Sequence, residues 1–461
     1  MDRMHTLDAE FLHLEDRVGH LHIAGIAVFD GPVPEEQELN DLLQAKLHLI
    51  PRYRQRVRTV PLELGRPVWV DDPYFNLGYH LRHTALPAPG DDAALRRLMG
   101  RLMSQPLDPE RPLWETWLVE GLTDGRWALI FKVHHCMVDG ISGVGLLTAF
   151  LDIDPDAAVA APQPWTPEPE PSGAAMVLGA WAGLGEDLID RAREVPGALL
   201  HPERTARAVV SSAEGFLSFG RKLRAAPPLS IEGSIGPHRA WADSSVDLGE
   251  VKKIGAALGG TVNDVVLAAA TRGYRDLLIA HGEDPETAVI RTLVPVSVRH
   301  DDGQGVPDNR VSALLLELPV DRADPLERFA LIRERMAELK ASHMAEAGEW
   351  LTTTVDLAPP VVIGQLSRLA VRALRRMPQH SVNTITTNVP GPQFSLYCLG
   401  RRMLEYRPFV PIFHGMRVTT AILSYDGRIA FGVTGDYDTV PDVDVLADGA
   451  VAGVEELLAH T

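Results

Sequence analysis

Apolar residues recur at two spacings along this chain, and each spacing predicts a different element. Ile23 to Phe29 is almost wholly apolar and predicts a buried strand. Apolar positions at helical intervals predict helices over Gln37 to Leu49, Asp92 to Met103 and Gly143 to Leu151. Trp127 to His134 follows the turn-forming Thr123-Asp124-Gly125 and predicts a further strand. The pattern then lapses. Residues 161–173, APQPWTPEPEPSG, hold five prolines, so an extended linker is expected. Ala174 to about Leu223 predicts helices rich in Ala, Leu and Arg, ended by PPLS at 227–230.

A second regime starts near Ser230. A strand through VDL, a helix over Glu250 to Leu258 and a long helix within GGTVNDVVLAAATRGYRDLL are expected. VIRTLVPVSVR, VSALLLELPV, SVNTITTNVPG, TTAILSYDG and IAFGVTGD predict strands, and DPLERFALIRERMAELKASHM predicts a helix. Both halves mix strands and helices, so the class is α/β of the mixed α+β kind. At 461 residues the chain exceeds one compact core. The expected division is a first domain over 1–160, a linker and helical crossover over 161–229, and a second domain over 230–461.

Composition narrows the function. A net charge of −18 repels phosphate backbones, which argues against nucleic-acid binding. Two cysteines, Cys136 and Cys398, make neither a disulfide framework nor a zinc set and fit a reducing cytosol. The acidic start MDRMHTLDAEFLHLED lacks the apolar segment of a signal peptide. No run of 18 apolar residues occurs, so any membrane contact is expected to be peripheral.

Candidate chemistry follows the Trp127 strand, in His134-His135-Cys136-Met137-Val138-Asp139-Gly140. Successive strand residues point to opposite faces, so the two histidines cannot share a task. A neutral imidazole suits proton abstraction from a hydroxyl near pH 7. Asp139 and Gly140 suggest a sharp turn, with Asp139 a structural anchor rather than a base. The His pair and Asp139 make no metal set, because the rings diverge and no third ligand cluster appears. Cys136 reads as a small packing residue, since no setting that lowers a thiol pKa is evident.

The HHxxxDG pattern resembles the acyltransferase superfamily of chloramphenicol acetyltransferase, carnitine acyltransferases and peptide-synthetase condensation domains. Other blocks narrow the match to the bacterial wax ester synthase/diacylglycerol acyltransferase family. Pro112-Leu113-Trp114 resembles its PLW block, Asn263-Asp264 its ND block, Val294 to Arg299 its PVS-R strand, and Asn388-Val389-Pro390-Gly391-Pro392 its NVPGP block. The likeness runs from about residue 4 to about 436. Thr387 stands where the family usually has Ser, Asp308 where it has Gly, and Glu232 where it often has Asn.

The resemblance implies two chloramphenicol-acetyltransferase-like domains, each a mixed sheet with flanking helices, and an active-site tunnel between them. It implies His135 as general base, with His134 packed or hydrogen-bonded behind it. Asp139 is expected to pair with Arg54, while Arg52, Arg56 and Arg58 read as a solvated strand face. Asn263 is the candidate oxyanion donor, with a turn or helix-cap role as the bland alternative. Asp264 reads as a cap, Trp114 as core packing, and Asn388 to Pro392 as a rigid turn. No resident cofactor is expected; acyl-coenzyme A is the substrate and a diacylglycerol or long-chain alcohol the acceptor. The expected setting is the cytoplasm, or peripherally the inner membrane face or lipid droplets. The oligomeric state stays open. Two alternatives stand beside this reading: a condensation-type enzyme with another donor, against which NVPGP argues, and a catalytically silent lipid-droplet protein.

Overall fold

The structure is a computed structural model that describes residues 2–138, 149–179, 228–297, 311–355 and 382–461. Asp139, Gly140, most of the helix expected over 143–151, residues 180–223 of the crossover, Val298, Arg299 and Asp308 lie outside the described residues.

In the first half, strands β1 (Asp2–Arg3), β2 (His22–Phe29), β3 (Gln55–Arg58), β4 (Val68–Asp71), β5 (Leu81–Ala85), β6 (Trp114–Glu120) and β7 (Trp127–His134) alternate with helices α1 (Thr6–Leu14), α2 (Glu36–Lys46), α3 (Leu77–His80) and α4 (Asp92–Met103). The second half holds β8 (Glu232–Gly233), β9 (Arg239–Asp247), α5 (Leu248–Leu258), α6 (Val262–Ala280), β10 (Ile290–Ser297), β11 (Val311–Leu318), α7 (Pro325–Val355), β12 (Thr384–Pro390), β13 (Tyr397–Cys398), β14 (Arg401–Phe409), β15 (Gly415–Met416), β16 (Val418–Tyr425), β17 (Arg428–Asp436) and α8 (Val443–Leu458). The expected helix over 37–49 ends at Lys46, and Leu47–Leu49 tightens into a 3-10 turn. The α4 and β7 boundaries coincide with the sequence expectation.

Two six-stranded mixed sheets form, with the mixed α/β class read from the pattern. One runs β13-β14-β2-β7-β6-β5, the other β11-β10-β12-β16-β17-β9. The first contains a strand from the far half of the chain: β14 pairs antiparallel with β2, Phe409 opposite Ala24 and Tyr406 opposite Ala27. A cut of the chain at residue 230 therefore does not separate the sheets. Burial of Arg407, in the middle of β14, is compensated by Asp92 on α4 at 3.0 Å, Asp243 on β9 at 3.3 Å and Glu405 at 2.9 Å. Arg96 of α4 also binds Asp243, at 2.8 Å. Buried charges persist only when paired in this way.

The second sheet is covered by α5 to α8, whose apolar faces share one core with β9, β10, β11, β16 and β17. Gly273 brings α6 close to α8, since a Cβ there would lie 2.3 Å from the Leu446 carbonyl oxygen. Where the sheets meet, Gly432 of β17 passes under β14, and a Cβ would lie 1.8 Å from Pro408 O. Among the described residues no single helix is long and apolar enough to cross a membrane.

The segment expected as an extended linker is tied to the small sheet β1-β4-β3. Glu170 binds Arg56 and Arg58, each at 2.7 Å, and the Glu168 amide donates to Asp71 at 3.0 Å. Arg52 pairs with Asp2 at 2.7 Å and lies over Trp69. The arginines expected as a solvated face are thus engaged: Arg56 and Arg58 by Glu170 from between the prolines, Arg52 by Asp2.

Gly432→Ala is expected to lower stability by about 1–3 kcal/mol, the usual cost of overpacking. A denaturant midpoint unchanged from wild type would contradict the close approach of the two sheets.

Candidate active site

Strand β7 is buried along its whole length and delivers the His pair at its end. His134 closes the strand, and His135 opens a 3-10 turn over His135–Met137. The amide of His135 donates to Leu21 O at 2.9 Å, which holds the turn against the approach to β2. The two rings take different neighbours, both from the α1 segment. The His135 ring lies 4.0 Å from the Phe11 ring. His134 Nε2 lies 3.2 Å from a Glu15 carboxylate oxygen.

The environments differ. His134 is 1 % exposed, whereas His135 as a residue is half-buried. Burial, helped by the neighbouring His134, lowers the His135 imidazole to about 4, so the ring is neutral at pH 7. Burial raises the Cys136 thiol well above its usual range, which leaves it protonated and packed.

Glu15 was not singled out in the sequence. It gathers three imidazoles: His134, His22 Nε2 at 3.3 Å and His20 Nδ1 at 3.6 Å. Burial opposes its ionisation, but hydrogen bonds from His134, His20 and His22 outweigh that and hold the carboxyl well below the usual carboxylate range. Burial lowers His22 to about 3. Its only sequence signal was the crowding of His20 and His22 before a strand, with an acid at the end of the preceding helix.

Trp114 and Leu113 are buried. Trp114 stacks on His80 at 4.5 Å, meets Tyr53 at 4.6 Å and donates Nε1–H to Tyr53 O. Pro112 is buried beside them. Arg54 ends a 3-10 turn with its guanidinium 4.6 Å over the Trp165 ring. Burial lowers its pKa, Asp71 opposes this, and Nε has no hydrogen-bond partner among the described residues.

Asn263 is the second residue of α6, not its cap. Thr261 caps the helix, and Asp264 completes the capping box, accepting from the Thr261 amide and hydroxyl at 2.8 Å each. Asn388 at the end of β12 donates Nδ2–H to Asn263 Oδ1 at 3.0 Å, so the ND and NVPGP blocks meet. Pro390 stays in register with Ser424, and Gly391 turns so tightly that a Cβ would lie 2.0 Å from Ser424 O. Val389 and Val138 both pack against the large apolar core that also holds Val133 and Met137. Glu232, where the resemblance expected Asn, accepts from Asn383. Among the described residues no group of three or more His, Cys, Asp or Glu is placed to hold a metal ion.

Comparison with known proteins places this geometry. The description "Wax ester synthase/diacylglycerol acyltransferase catalytic domain" matches residues 4–266, and "WS/DGAT C-terminal domain" matches 308–458. The chain is 37 % identical over its whole length to a Mycobacterium tuberculosis protein named a probable diacylglycerol O-acyltransferase, tgs1, covering 96 % of it. It is similar in structure to the wax ester synthase/diacylglycerol acyltransferase of Marinobacter aquaeolei VT8, with a TM-score of 0.69, 26 % identity and 99 % coverage of both chains. The first condensation domain of the calcium-dependent antibiotic synthetase shares the fold, at a TM-score of 0.59 and 19 % identity over 100 % of this chain and 97 % of that one. With its His pair at the end of a buried strand and both family domains matched, this acyltransferase belongs to the wax ester synthase/diacylglycerol acyltransferase family.

Proposed function

We propose that the enzyme moves a long-chain acyl group from acyl-coenzyme A to the hydroxyl of a diacylglycerol or fatty alcohol. The product is a triacylglycerol or a wax ester. One observation carries this reading: His135, a half-buried residue, holds a neutral imidazole just past the end of a buried strand. Its free ring nitrogen takes the acceptor's hydroxyl proton while that oxygen attacks the thioester carbonyl. The tetrahedral intermediate collapses, the C–S bond breaks, and the coenzyme A thiolate takes the proton back from His135. No acyl-enzyme is required, because base catalysis and proximity suffice.

Asn263 is assigned to the developing oxyanion. Asn388 occupies its Oδ1, which leaves the Asn263 NH2 as the group it can offer. Asp139 is assigned as anchor of the turn with Arg54 as partner, on the family resemblance of the HHxxxDG and PRYRQR segments. Both substrates approach through a tunnel between the two sheets that excludes competing water. The acceptor is insoluble, so the encounter is assigned to a membrane or droplet surface. The name of the mycobacterial relative favours diacylglycerol.

Purified enzyme given palmitoyl-coenzyme A is expected to release thiol only when hexadecanol or dioleoylglycerol is added. His135→Ala should lower that rate by about 100-fold or more with an unchanged melting temperature. Near-wild-type release by the variant would overturn the base assignment. Asn263→Ala should lower kcat by about 100- to 1000-fold with little change in KM, the loss typical of one oxyanion donor. A change confined to KM would remove it from that role.

The pH dependence follows from His135. Catalysis needs the neutral ring, and its pKa in the free enzyme is about 4, so kcat/KM should stay flat above about pH 5.5 and fall only near pH 4. An acid limb centred near 6.5 would contradict the buried setting. Stability has the same sign. His22 and His135 have depressed pKa values when folded, so below about pH 6.5 the unfolded chain binds more protons and stability declines.

A further inference from the structure

His134 has two ring nitrogens and only one proton when neutral. At Nδ1 two donors converge. The Cys136 amide donates from 3.2 Å, and Cys136 Sγ, kept protonated by burial, lies at 2.9 Å. Nδ1 must therefore be the acceptor, and the proton belongs on Nε2. A proton there, on a ring 1 % exposed, needs a buried partner, and Glu15 supplies it at 3.2 Å. The Cys136 amide bond to Nδ1 is the side-chain cap of the 3-10 turn whose first residue is His135.

We propose that Glu15 is a positioning residue for His135, acting through the tautomer of His134. The carboxylate fixes the proton on Nε2, that tautomer accepts from the Cys136 amide, and the capped turn aims the His135 ring. The same end of α1 sets the other side of the ring. The Glu15 amide donates to Phe11 O at 3.2 Å, and the Phe11 ring lies against His135. His20 and His22 converge on the second carboxylate oxygen and keep Glu15 from swinging away. With the acceptor removed, Nε2–H is orphaned and the ring does better with its proton on Nδ1. That tautomer cannot accept from Cys136, and the turn loses its cap.

This role rests on His135 being the base, and His135→Ala on the same preparation tests that premise separately: an active His135→Ala sinks the base, whatever Glu15 does. Glu15→Ala and Glu15→Gln in the full chain test the proposal. The readouts are kcat, KM for palmitoyl-coenzyme A, melting temperature and the His134 tautomer by nitrogen-15 NMR. Glu15→Ala should lose about 100-fold in kcat, at the lower end of what a positioned general base contributes, with KM within about twofold. Its His134 proton should move to Nδ1. Glu15→Gln still offers an oxygen to Nε2–H and should restore kcat to within about fivefold of wild type, with the proton on Nε2. Wild-type-like kcat in Glu15→Ala, or an unmoved proton, would overturn the proposal. If Glu15→Ala does not fold, Glu15→Gln decides alone: a retained rate with Nε2–H supports it, and a 100-fold loss overturns it.

Discussion

The architecture depends on β14, a strand from the second half of the chain that completes the sheet of the first. Its ladder to β2 places the late residues 401–409 one strand away from β7, which carries the His pair. The strand can sit there only because Arg407, which enters the interior with it, finds Asp92, Asp243 and Glu405. Those acids come from a helix of the first half, a strand of the second, and β14 itself. One buried cation thereby ties both halves together, and losing any partner would strand charge in a poorly solvated place.

That tie gives the site its rigidity. His135 begins a turn at the end of a strand held on both sides, by β2 and β6. Rigidity has an electrostatic consequence. The packing that fixes the ring also strips water from it, which keeps the imidazole neutral well below pH 7. A base of low pKa is a weaker proton acceptor in general but is always in its working form. The cost of burying three more histidines nearby is offset by the single carboxylate of Glu15, which all three face.

The proline-rich segment shows how composition can mislead about freedom. Five prolines disfavour helix and ladder, and residues 161–172 carry neither. It is nevertheless docked, because Trp165 covers the Arg54 guanidinium while Glu170 meets Arg56 and Arg58. Proline sets backbone shape; the residues between the prolines decide what the segment touches.

The sequence by itself determined the local elements and the chemistry on them. Periodicity placed α4 and β7 at their observed bounds, because their apolar faces follow one period and end at clear stop signals. The adjacent histidines announced two separate tasks, though the structure separates them by placing only His134 on the strand and His135 in the turn after it. Only the tertiary structure decided what those residues meet. RRMLEYRPF carries charges at Arg401, Arg402, Glu405 and Arg407; Arg402 stays exposed, yet Arg407 is buried because Asp92 and Asp243 reach it from distant segments. Glu15 looks like one acid among several in an acidic stretch, and nothing local says that His20, His22 and His134 will converge on it. Asn263 and Asn388 stand 125 residues apart and meet only when β12 is laid beside α6. Pairings of this kind are set by sheet order and register, which local pattern does not encode.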